Sequence, residues 1–370
     1  MKKIYERIII IIVSFFNFIP QSLFSFLKKE ELYLDYVCRY YEKKMPYFLS
    51  YNLRPKTAEQ FICIDEDVPH SDKMAVIMTG KLIQEDNFTL ETVKLYNKIY
   101  PNVLIIISTW ESEDKRYIET IKNSTQCHII QNKEPKFSGF HNFNYQIYAV
   151  TKGIEYAKKH NKQYVFKTRC DHRFYKRGLL EYMYNLIVNY PCERDNILGQ
   201  RYRIIMATDG YSQMNVPFRI GDLYNFGYID DLYNFWGGEL EEFSLSISDW
   251  VKEMEKNHCS WKQQRESAAY LYIRYIKKMS GITPSITVKE SWDFIKKYTI
   301  ILDRKDVGTF WYKYSSRYEE TRRNGEYYTE DSTDKCLSYN WNFSNWLNLY
   351  YGSIRYNEEY EKISENNFDL

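Results

Sequence analysis

One stretch of the sequence gathers residue types that could do chemistry, and it reads Lys-Thr-Arg-Cys-Asp-His-Arg from residue 167 to residue 173. Its cations Lys167, Arg169 and Arg173 surround the carboxylate of Asp171. One guanidinium group can bind two phosphate oxygens at once, and lysine adds a compact positive charge. The cluster therefore suits a diphosphate. A single carboxylate beside phosphates can also hold Mg²⁺ or Mn²⁺, because these metals take oxygen ligands and share them with the substrate. The alternative is a salt bridge of Asp171 with Arg169 or Arg173, and composition leaves both interpretations open.

The elements that must position this cluster alternate regularly. Continuous apolar runs predict buried strands at 75–78, 103–107, 127–130 and 164–168, with one-sided apolar helices between them. The helical stripes are Leu90, Val93, Tyr96 and Ile99; Ile147, Val150, Ile154 and Ala157; and Leu179, Leu180, Met183, Leu186 and Ile187. This alternation implies parallel strands with right-handed crossovers, so the predicted fold is α/β, with a doubly wound, mostly parallel sheet flanked by helices. Ligands of such sheets bind at the carboxyl ends of the strands.

Two further strand ends carry small and polar residues. Thr79 and Gly80 follow the first predicted strand, and glycine would let the backbone approach the base or ribose of a nucleotide because it has no side chain. A tight turn is the alternative. Thr109 follows the second strand and could supply a hydroxyl, with Trp110 packing beneath it. These residues are the candidates for nucleotide contact.

Removal of a proton from a substrate hydroxyl by a general base needs a carboxylate within hydrogen-bond reach of that hydroxyl. The main candidates are Asp222 and Glu266, and Asp230, Asp231 and Asp249 are also possible. Glu266 opens a predicted helix with an apolar stripe made of Ala269, Leu271, Tyr272 and Ile276. Each acid has a structural alternative, because a surface carboxylate at a helix start also stabilises the positive end of the helix dipole.

Several blocks resemble, in the same order along the chain, the WavE family of lipopolysaccharide-synthesis proteins. The blocks are Ala-Val-Ile-Met-Thr-Gly at 75–80, Leu-Glu-Thr-Val-Lys-Leu-Tyr at 90–96, Tyr-Pro-Asn-Val at 100–103, Ile-Ser-Thr-Trp at 107–110, the cluster at 167–173, and Gly221-Asp222 with Gly227. The resemblance covers about residues 74 to 240, and the ordering of the blocks is more specific than any one of them.

The resemblance implies a GT-A-like fold and a glycosyltransferase that moves a sugar from a nucleotide-diphosphate donor to a cell-surface polysaccharide or lipopolysaccharide acceptor. In this interpretation Asp171 binds a divalent metal (Mn²⁺ or Mg²⁺), and Lys167, Arg169 and Arg173 offset charge on the leaving diphosphate. Related enzymes carry an Asp-x-Asp metal motif, whereas this chain has Arg173 at the second position. Two alternatives stay open: a sugar-phosphate transferase, and a non-catalytic assembly protein.

The N-terminal segment predicts membrane association. Lys2, Lys3 and Arg7 precede the apolar run 8–19, which is shorter than the ~20 residues of a spanning helix. Pro20 interrupts the run, and apolar residues continue beyond it to Lys28 and Lys29. Residues 1–29 therefore predict an amphipathic segment that lies in the membrane interface. Together with the resemblance, this segment implies a peripheral or monotopic protein on the cytoplasmic face of the inner membrane. A signal peptide, a tilted transmembrane anchor and a buried helix are the alternatives.

Composition narrows the remaining classes of protein. Fifty-one lysines and arginines nearly balance 49 aspartates and glutamates, so the chain lacks the global positive field of a general nucleic-acid binder. Its seven cysteines are scattered without a C-x-x-C pair, which favours reduced thiols in a cytosol. The predicted divisions are the membrane-associating segment 1–29, a connector 30–72, a catalytic domain 73–285 and a C-terminal helical or irregular extension 286–370.

Overall fold

The structure is a computed structural model that describes residues 30–44, 49, 52–62, 69–140, 142–207, 212–245, 267–313 and 340–366. The chain forms two compact units, Met1–Arg54 and Pro55–Leu370. The described part of the first unit is mainly helix α1 (Glu30–Glu42). The predicted membrane-associating segment 1–29 lies outside the described residues. Within those residues, no helix is both long enough and apolar enough to cross a membrane.

The second unit is built on a seven-stranded sheet. The described strands are β1 (Met74–Thr79), β2 (Leu104–Trp110), β3 (His128–Asn132), β4 (Gly139–Phe140), β5 (Tyr164–Arg169), β6 (His172–Phe174), β7 (Ile204–Ala207), β8 (Tyr224–Tyr228), β9 (Ser244–Leu245), β10 (Thr299–Leu302) and β11 (Thr309–Trp311). The large sheet has the order β3-β2-β1-β5-β8-β7-β10. Strand β8 runs antiparallel to β5 and β7, and the other pairs are parallel. Smaller pairs join β4 with β9 and β6 with β11.

Helices flank the sheet. They are α2 (Phe88–Ile99), α3 (Lys115–Ser124), α4 (Phe143–Lys159), α5 (Leu179–Asn189), α6 (Ile229–Trp236), α7 (Ser267–Ser280), α8 (Val288–Tyr298), α9 (Arg304–Val307), α10 (Phe343–Tyr351) and α11 (Glu359–Asn366). Helix α4 packs on β1 and β2, and α6 packs between α4 and α7. All six residues of β1 are buried, as expected for a strand covered on both faces. Gly153 lets α4 approach β1 closely, because a Cβ there would collide with Ile77.

The predicted α/β class, the mostly parallel sheet and its flanking helices are confirmed. Strands predicted at 75–78, 103–107, 127–130 and 164–168 correspond to β1, β2, β3 and β5, and β2 continues through Trp110. The three predicted helical stripes lie in α2, α4 and α5. The helix predicted to open at Glu266 is α7 over its described part, and its stripe residues Ala269, Leu271, Tyr272 and Ile276 are buried.

Three strands of the large sheet, β7, β8 and β10, come from the aromatic region after residue 200, where the sequence pattern predicted no strand. Strand β10 falls inside the stretch 286–370 that was predicted as an extension, yet it pairs with β7 as the edge strand of the sheet. The boundary at residue 285 therefore does not separate a helical appendage from the sheet.

The direction of β8 decides which residues share an edge of the sheet. Because β8 is antiparallel to its neighbours, its amino end lies with the carboxyl ends of the other six strands. Asp222, two residues before β8, is therefore placed at the same edge as the residues that follow β1, β2 and β5. Asp230 and Asp231 follow the carboxyl end of β8, so they lie at the opposite edge. An assumption of uniformly parallel strands would have placed them at the site.

Candidate functional site

The loop after β1 presents bare backbone at the carboxyl edge. Gly80 has a φ of +97°, a conformation that L side chains rarely adopt, and no atom lies within 4 Å of the position a Cβ would occupy. The Thr79 hydroxyl donates to the carbonyl of Thr168 at 3.1 Å, and the Thr109 hydroxyl donates to the carbonyl of Gly80 at 2.9 Å. Both threonines are buried. Their hydroxyls therefore fix the loop, and Gly80 is the part of it that is open to a ligand.

Glu113 borders the same loop and was not singled out from the sequence. Its carboxylate accepts a hydrogen bond from the Leu82 amide at 3.3 Å. Burial raises the pKa of Glu113, against the lowering effect of the hydrogen bonds it accepts and of the nearby Lys81. The acid thus ties the segment after Gly80 to the turn that follows β2. No local sequence signal would have identified it, because its partner lies 31 residues away.

Lys167 is a buried connector. Its Nζ donates to the carbonyl of Asp222 at 2.7 Å and to that of Leu223 at 3.1 Å, and it lies 4.4 Å from the centre of the Trp236 ring. Only 2% of the residue is exposed, and burial lowers the pKa of Lys167 to about 7. The side chain therefore holds the loop before β8 against β5. Its position gives no direct support for the predicted contact with a diphosphate.

Arg169 and Asp171 form a two-pronged ion pair. Arg169 Nε donates to Oδ1 of Asp171 at 2.8 Å, and Nη2 donates to Oδ2 at 2.9 Å. The Trp311 indole also donates to Oδ2, at 3.1 Å. Burial alone would raise the pKa of Asp171, but the hydrogen bonds and charge of Arg169 outweigh it and hold this pKa well below its usual range. The structure contains the salt bridge with Arg169, which is one of the two interpretations that the sequence left open.

His172 is fully buried beside this pair. Its ring packs edge-on against Tyr224 and Trp311, with centroid separations of 5.5 and 4.9 Å. Neither ring nitrogen has a hydrogen-bond partner in the described part of the chain. Burial lowers the pKa of His172 well below its usual value; the charge of Asp171 opposes this effect, while Arg169, Lys167 and Arg304 add to it. The imidazole is consequently a neutral group in an electropositive surrounding.

Arg173 is not brought together with the other cations. Its Nε donates to the Thr92 hydroxyl at 2.8 Å, Nη1 to the carbonyl of Lys56 at 2.8 Å, and Nη2 to the carbonyl of Phe88 at 2.9 Å. Successive residues of a strand point to opposite faces, and β6 therefore directs Arg173 away from the face of His172. This geometry gives no support for its predicted role as a phosphate ligand. It shows a structural role that fastens α2 to the segment before it.

Asp222 is a buried carboxylate at the carboxyl edge. The residue is 9% exposed, and its Oδ2 has no hydrogen-bond partner among the described residues. The Tyr272 hydroxyl of α7 is likewise buried without a partner in that part of the chain. Burial raises the pKa of Tyr272, and the charge of Asp222 adds to the effect. Asp222 is thus a buried acid whose Oδ2 accepts no hydrogen bond from the described residues.

The other predicted acids do not join Asp222. Glu266 and Asp249 lie outside the described residues. Asp230 pairs with Lys158 at 2.6 Å at the opposite edge of the sheet. Asp231 accepts the backbone amides of residues 201 and 202, both at 2.9 Å, and burial raises the pKa of Asp231 to about 6. Both of these acids serve structural contacts away from the site.

Residues from beyond position 300 complete the site and were missed in the sequence. Arg304, 3% exposed, follows β10, and Trp311 lies in β11 beside β6. The apolar run of β10, Thr-Ile-Ile-Leu, was the available signal for a strand whose end would meet the others. Trp311 offered no such signal, because its contact with Asp171 spans 140 residues.

The residues present do not fit a divalent metal. Both oxygens of Asp171 accept hydrogen bonds from Arg169, and the position two residues later is an arginine directed elsewhere. Across the described ranges, no group of three or more His, Cys, Asp or Glu side chains is arranged to hold a metal ion. The four cysteines that these ranges include, Cys38, Cys127, Cys170 and Cys192, are free thiols.

The fold and the site define the class: a mixed α/β protein whose mostly parallel sheet carries an ion pair, between a buried carboxylate and a partly exposed guanidinium, and further cations at the carboxyl ends of its strands. The profile of the family described as WavE lipopolysaccharide synthesis matches residues 76–364, and the chain therefore belongs to that family. The match extends well beyond the 74–240 stretch of the resemblance and takes in Arg304 and Trp311. Family membership links the chain to lipopolysaccharide synthesis.

Other comparisons add little. No curated protein matches the chain. Among solved structures, it is similar to a cytidylyltransferase from Leptospira borgpetersenii serovar Hardjo-bovis (strain JB197), with 14% identity over 50% of this chain and 73% of that chain and a TM-score of 0.28.

Proposed function

We propose that this chain is a glycosyltransferase of GT-A type that moves a sugar from a nucleotide-diphosphate donor to a lipopolysaccharide or other cell-surface polysaccharide acceptor. The observation that carries the proposal is the meeting of three features at one edge of the sheet: the bare backbone of Gly80, the Arg169–Asp171 pair and the buried carboxylate of Asp222, whose Oδ2 accepts no hydrogen bond from the described residues. Ligands of doubly wound sheets bind at this edge. Membership in the lipopolysaccharide-synthesis family supports the acceptor class.

The donor would lie across the ends of β1 and β5. Thr79 and Arg169 are paired residues of these adjacent strands, so the backbone of Arg169 lies beside the residue that precedes Gly80. The nucleoside would contact the backbone at Gly80, where no side chain intervenes. The diphosphate would lie towards Arg169, where fixed positive charge stabilises the negative charge that grows on the leaving group.

Asp222 is the proposed general base for the acceptor. As the acceptor oxygen forms its bond to the anomeric carbon, the bond from that carbon to the diphosphate breaks, and the hydroxyl proton passes to the Asp222 carboxylate. Lys167 takes no proton in this step. It positions Asp222, since its amino group donates hydrogen bonds to the carbonyls of Asp222 and Leu223. Glu266, which lies outside the described residues, stays a predicted candidate for the same role.

Nucleotide products distinguish this proposal from its alternatives. Purified protein is incubated with UDP- and GDP-sugars and lipopolysaccharide truncated in its core, and the released nucleotides are separated by anion-exchange chromatography. Sugar transfer releases UDP or GDP, transfer of a sugar phosphate releases UMP or GMP, and a non-catalytic assembly protein releases neither. Acceptor-dependent release of a diphosphate supports glycosyl transfer, and either of the other results overturns it.

Two aspartates provide a matched pair of variants. Asp222→Asn is expected to lower kcat by ~10²–10⁴-fold, the contribution typical of a positioned general base. Asp230→Asn removes a carboxylate at the opposite edge of the sheet and should leave turnover unchanged, because Asp230 pairs only with Lys158 in the described contacts. Full turnover in Asp222→Asn would refute its assignment as the base.

We also propose that the enzyme works at the cytoplasmic face of the inner membrane, beside a lipid-linked acceptor. The cationic and apolar composition of residues 1–29 supports association with a membrane surface. An acceptor carried by a lipid would then reach the active site without leaving the membrane.

A further inference from the structure

We infer that the donor diphosphate is bound by cations without a divalent metal, and that Asp171 is a positioning residue for Arg169. This inference rests on the proposed function and deepens it. It reverses the role that family resemblance implies for Asp171, which stands where related enzymes have a metal-binding carboxylate. The reversal follows from how this carboxylate is bonded, from the charges around it and from the place of its partner in the sheet.

The bonding of Asp171 leaves no ready ligand for a metal. Oδ1 accepts from Arg169 Nε at 2.8 Å, and Oδ2 accepts from Arg169 Nη2 at 2.9 Å and from Trp311 Nε1 at 3.1 Å. Mg²⁺ binds carboxylate oxygens at about 2.0–2.1 Å, so it would have to displace at least one of these donors. It would then lie next to a guanidinium that is always charged. Both the geometry and the repulsion oppose that exchange.

The surrounding charge favours an anion. His172 lies within the electrostatic reach of two permanent cations, Arg169 and Arg304, of Lys167, whose pKa burial lowers to about 7, and of one carboxylate, Asp171. The second acid of an Asp-x-Asp motif would reduce this imbalance, but the chain has Arg173 there, and its donors go to α2 and to the segment before it. Permanent positive charge attracts phosphate and repels a divalent cation. Arg169 and Arg304 supply such charge at this edge of the sheet without a metal.

The placement of Arg169 suits contact with the donor. Its side chain is 29% exposed, whereas that of Asp171 is 7% exposed, so the guanidinium is the solvent-facing member of the pair. Arg169 is also the register partner of Thr79, next to the open backbone at Gly80. Asp171 accepts a hydrogen bond from the Trp311 indole and two from Arg169, and so fixes the orientation of the guanidinium. A guanidinium held in one orientation binds a phosphate with a smaller loss of entropy than a freely rotating one.

The test measures nucleotide binding with and without metal. UDP and GDP are titrated calorimetrically into the full chain in EDTA and again in MnCl₂, using wild type, Arg169→Met, Asp171→Asn and the double variant. We expect one of these diphosphates to bind in EDTA with a Kd within about threefold of the value in MnCl₂. Arg169→Met should weaken that binding by roughly 10-fold or more, as expected for loss of a charge-assisted hydrogen bond.

The double variant separates positioning from a merely structural role. If Asp171 acts through Arg169, then Asp171→Asn weakens binding in the wild-type background and has no further effect on Kd when Arg169 is already methionine. Arg169→Lys keeps the positive charge but loses the two-pronged guanidinium, so this variant should bind the nucleoside diphosphate with intermediate affinity. Arg194→Met, a change at an exposed arginine that precedes β7 at the opposite edge, is the matched control and should leave Kd unchanged. Circular dichroism and urea midpoints check that each variant is folded.

The possible outcomes are distinct. Binding that requires Mn²⁺ and is lost in Asp171→Asn overturns this inference and leaves the proposed function in place. Additive effects of Asp171→Asn and Arg169→Met also overturn it, because the carboxylate would then act independently of the arginine. If neither diphosphate binds in EDTA or in MnCl₂, the inference and the proposed function both fail.

Discussion

Replacing Asp171 with asparagine tests the electrostatic description of the site through stability alone. Asparagine keeps the shape of the side chain but loses the charge and one of the acceptors that hold Arg169. Removing one member of a buried ion pair typically costs ~3–5 kcal/mol, because the remaining charge is left uncompensated. The Arg169 side chain is 29% exposed, so water can rehydrate part of its charge. We therefore expect a loss near the lower end, about 3 kcal/mol.

Urea unfolding at pH 7 measures this loss as a lower midpoint at an unchanged m-value. Glu119→Gln is the control, because Glu119 pairs with Lys122 at 2.9 Å on the surface, with side chains 60% and 41% exposed. That change should cost no more than about 0.5 kcal/mol, as exposed pairs contribute little. A loss in Asp171→Asn that does not exceed the control would refute the description of a buried, mutually dependent pair.

The same pair predicts a dependence on pH. The pKa of Asp171 is lower in the folded chain than in the unfolded chain. Its contribution to stability is therefore complete above the unfolded value, near 3.8, and is lost as the pH falls towards the folded value. The difference in unfolding free energy between wild type and Asp171→Asn should shrink below about pH 4. A difference that stays constant down to pH 3 would contradict the assigned direction.

Three further outcomes are expected. Burial lowers the pKa of Lys167 to about 7, so between pH 7 and the ordinary value of 10.5 the unfolded chain holds a proton that the folded chain has released. Across that window the unfolding free energy should rise by about 1.4 kcal/mol per pH unit, and Lys167→Met should remove this component. Parallel pH profiles of wild type and variant would contradict it. Arg173→Met should cost about 3 kcal/mol in urea unfolding, since charged hydrogen bonds to three carbonyls are lost, yet leave the Kd for a nucleoside diphosphate within twofold. Weakened binding at unchanged stability would restore the predicted phosphate role. Deleting residues 1–29 should move the protein from the membrane pellet to the supernatant on ultracentrifugation, and a deletion variant that still pellets with membranes would refute the anchor.

Sequence patterns predicted the strands that are buried on both faces and the helices that are buried along one face. The six residues of β1 and the stripe Ile147, Val150, Ile154 and Ala157 of α4 are apolar because both faces of the strand, or one face of the helix, meet the core. Strand β8 reads Tyr-Asn-Phe-Gly-Tyr, and its buried Asn225 bonds to Trp236 of α6. A hydrogen bond of this kind compensates for burying a polar residue in a core strand. Periodicity in the sequence does not reveal such contacts.

The sequence predicted which residues form the site but not the directions in which their side chains point. The segment 167–173 did contain the ion pair, yet the sequence could not show that Arg169 rather than Arg173 is the partner of Asp171. That choice depends on the alternation of side chains along β6, which becomes visible only when the short strand is placed. The position of Asp222 likewise depended on the antiparallel direction of β8, and strand direction leaves no local signature.

The contact between Asp171 and Trp311 makes the stretch after residue 285 part of the site. Strand β10 pairs with β7 along four residues, and β11 pairs with β6 and brings the Trp311 indole to Asp171. A chain that ends at residue 285 would expose the buried edge of β7 and lose the indole that fixes Asp171. We expect such a chain to be insoluble or to lack a cooperative urea transition. A soluble truncated chain that unfolds cooperatively and binds a nucleoside diphosphate with the wild-type Kd would show that residues 286–370 are an appendage, as composition first indicated, and that Asp171 does not need Trp311 to hold Arg169 in place.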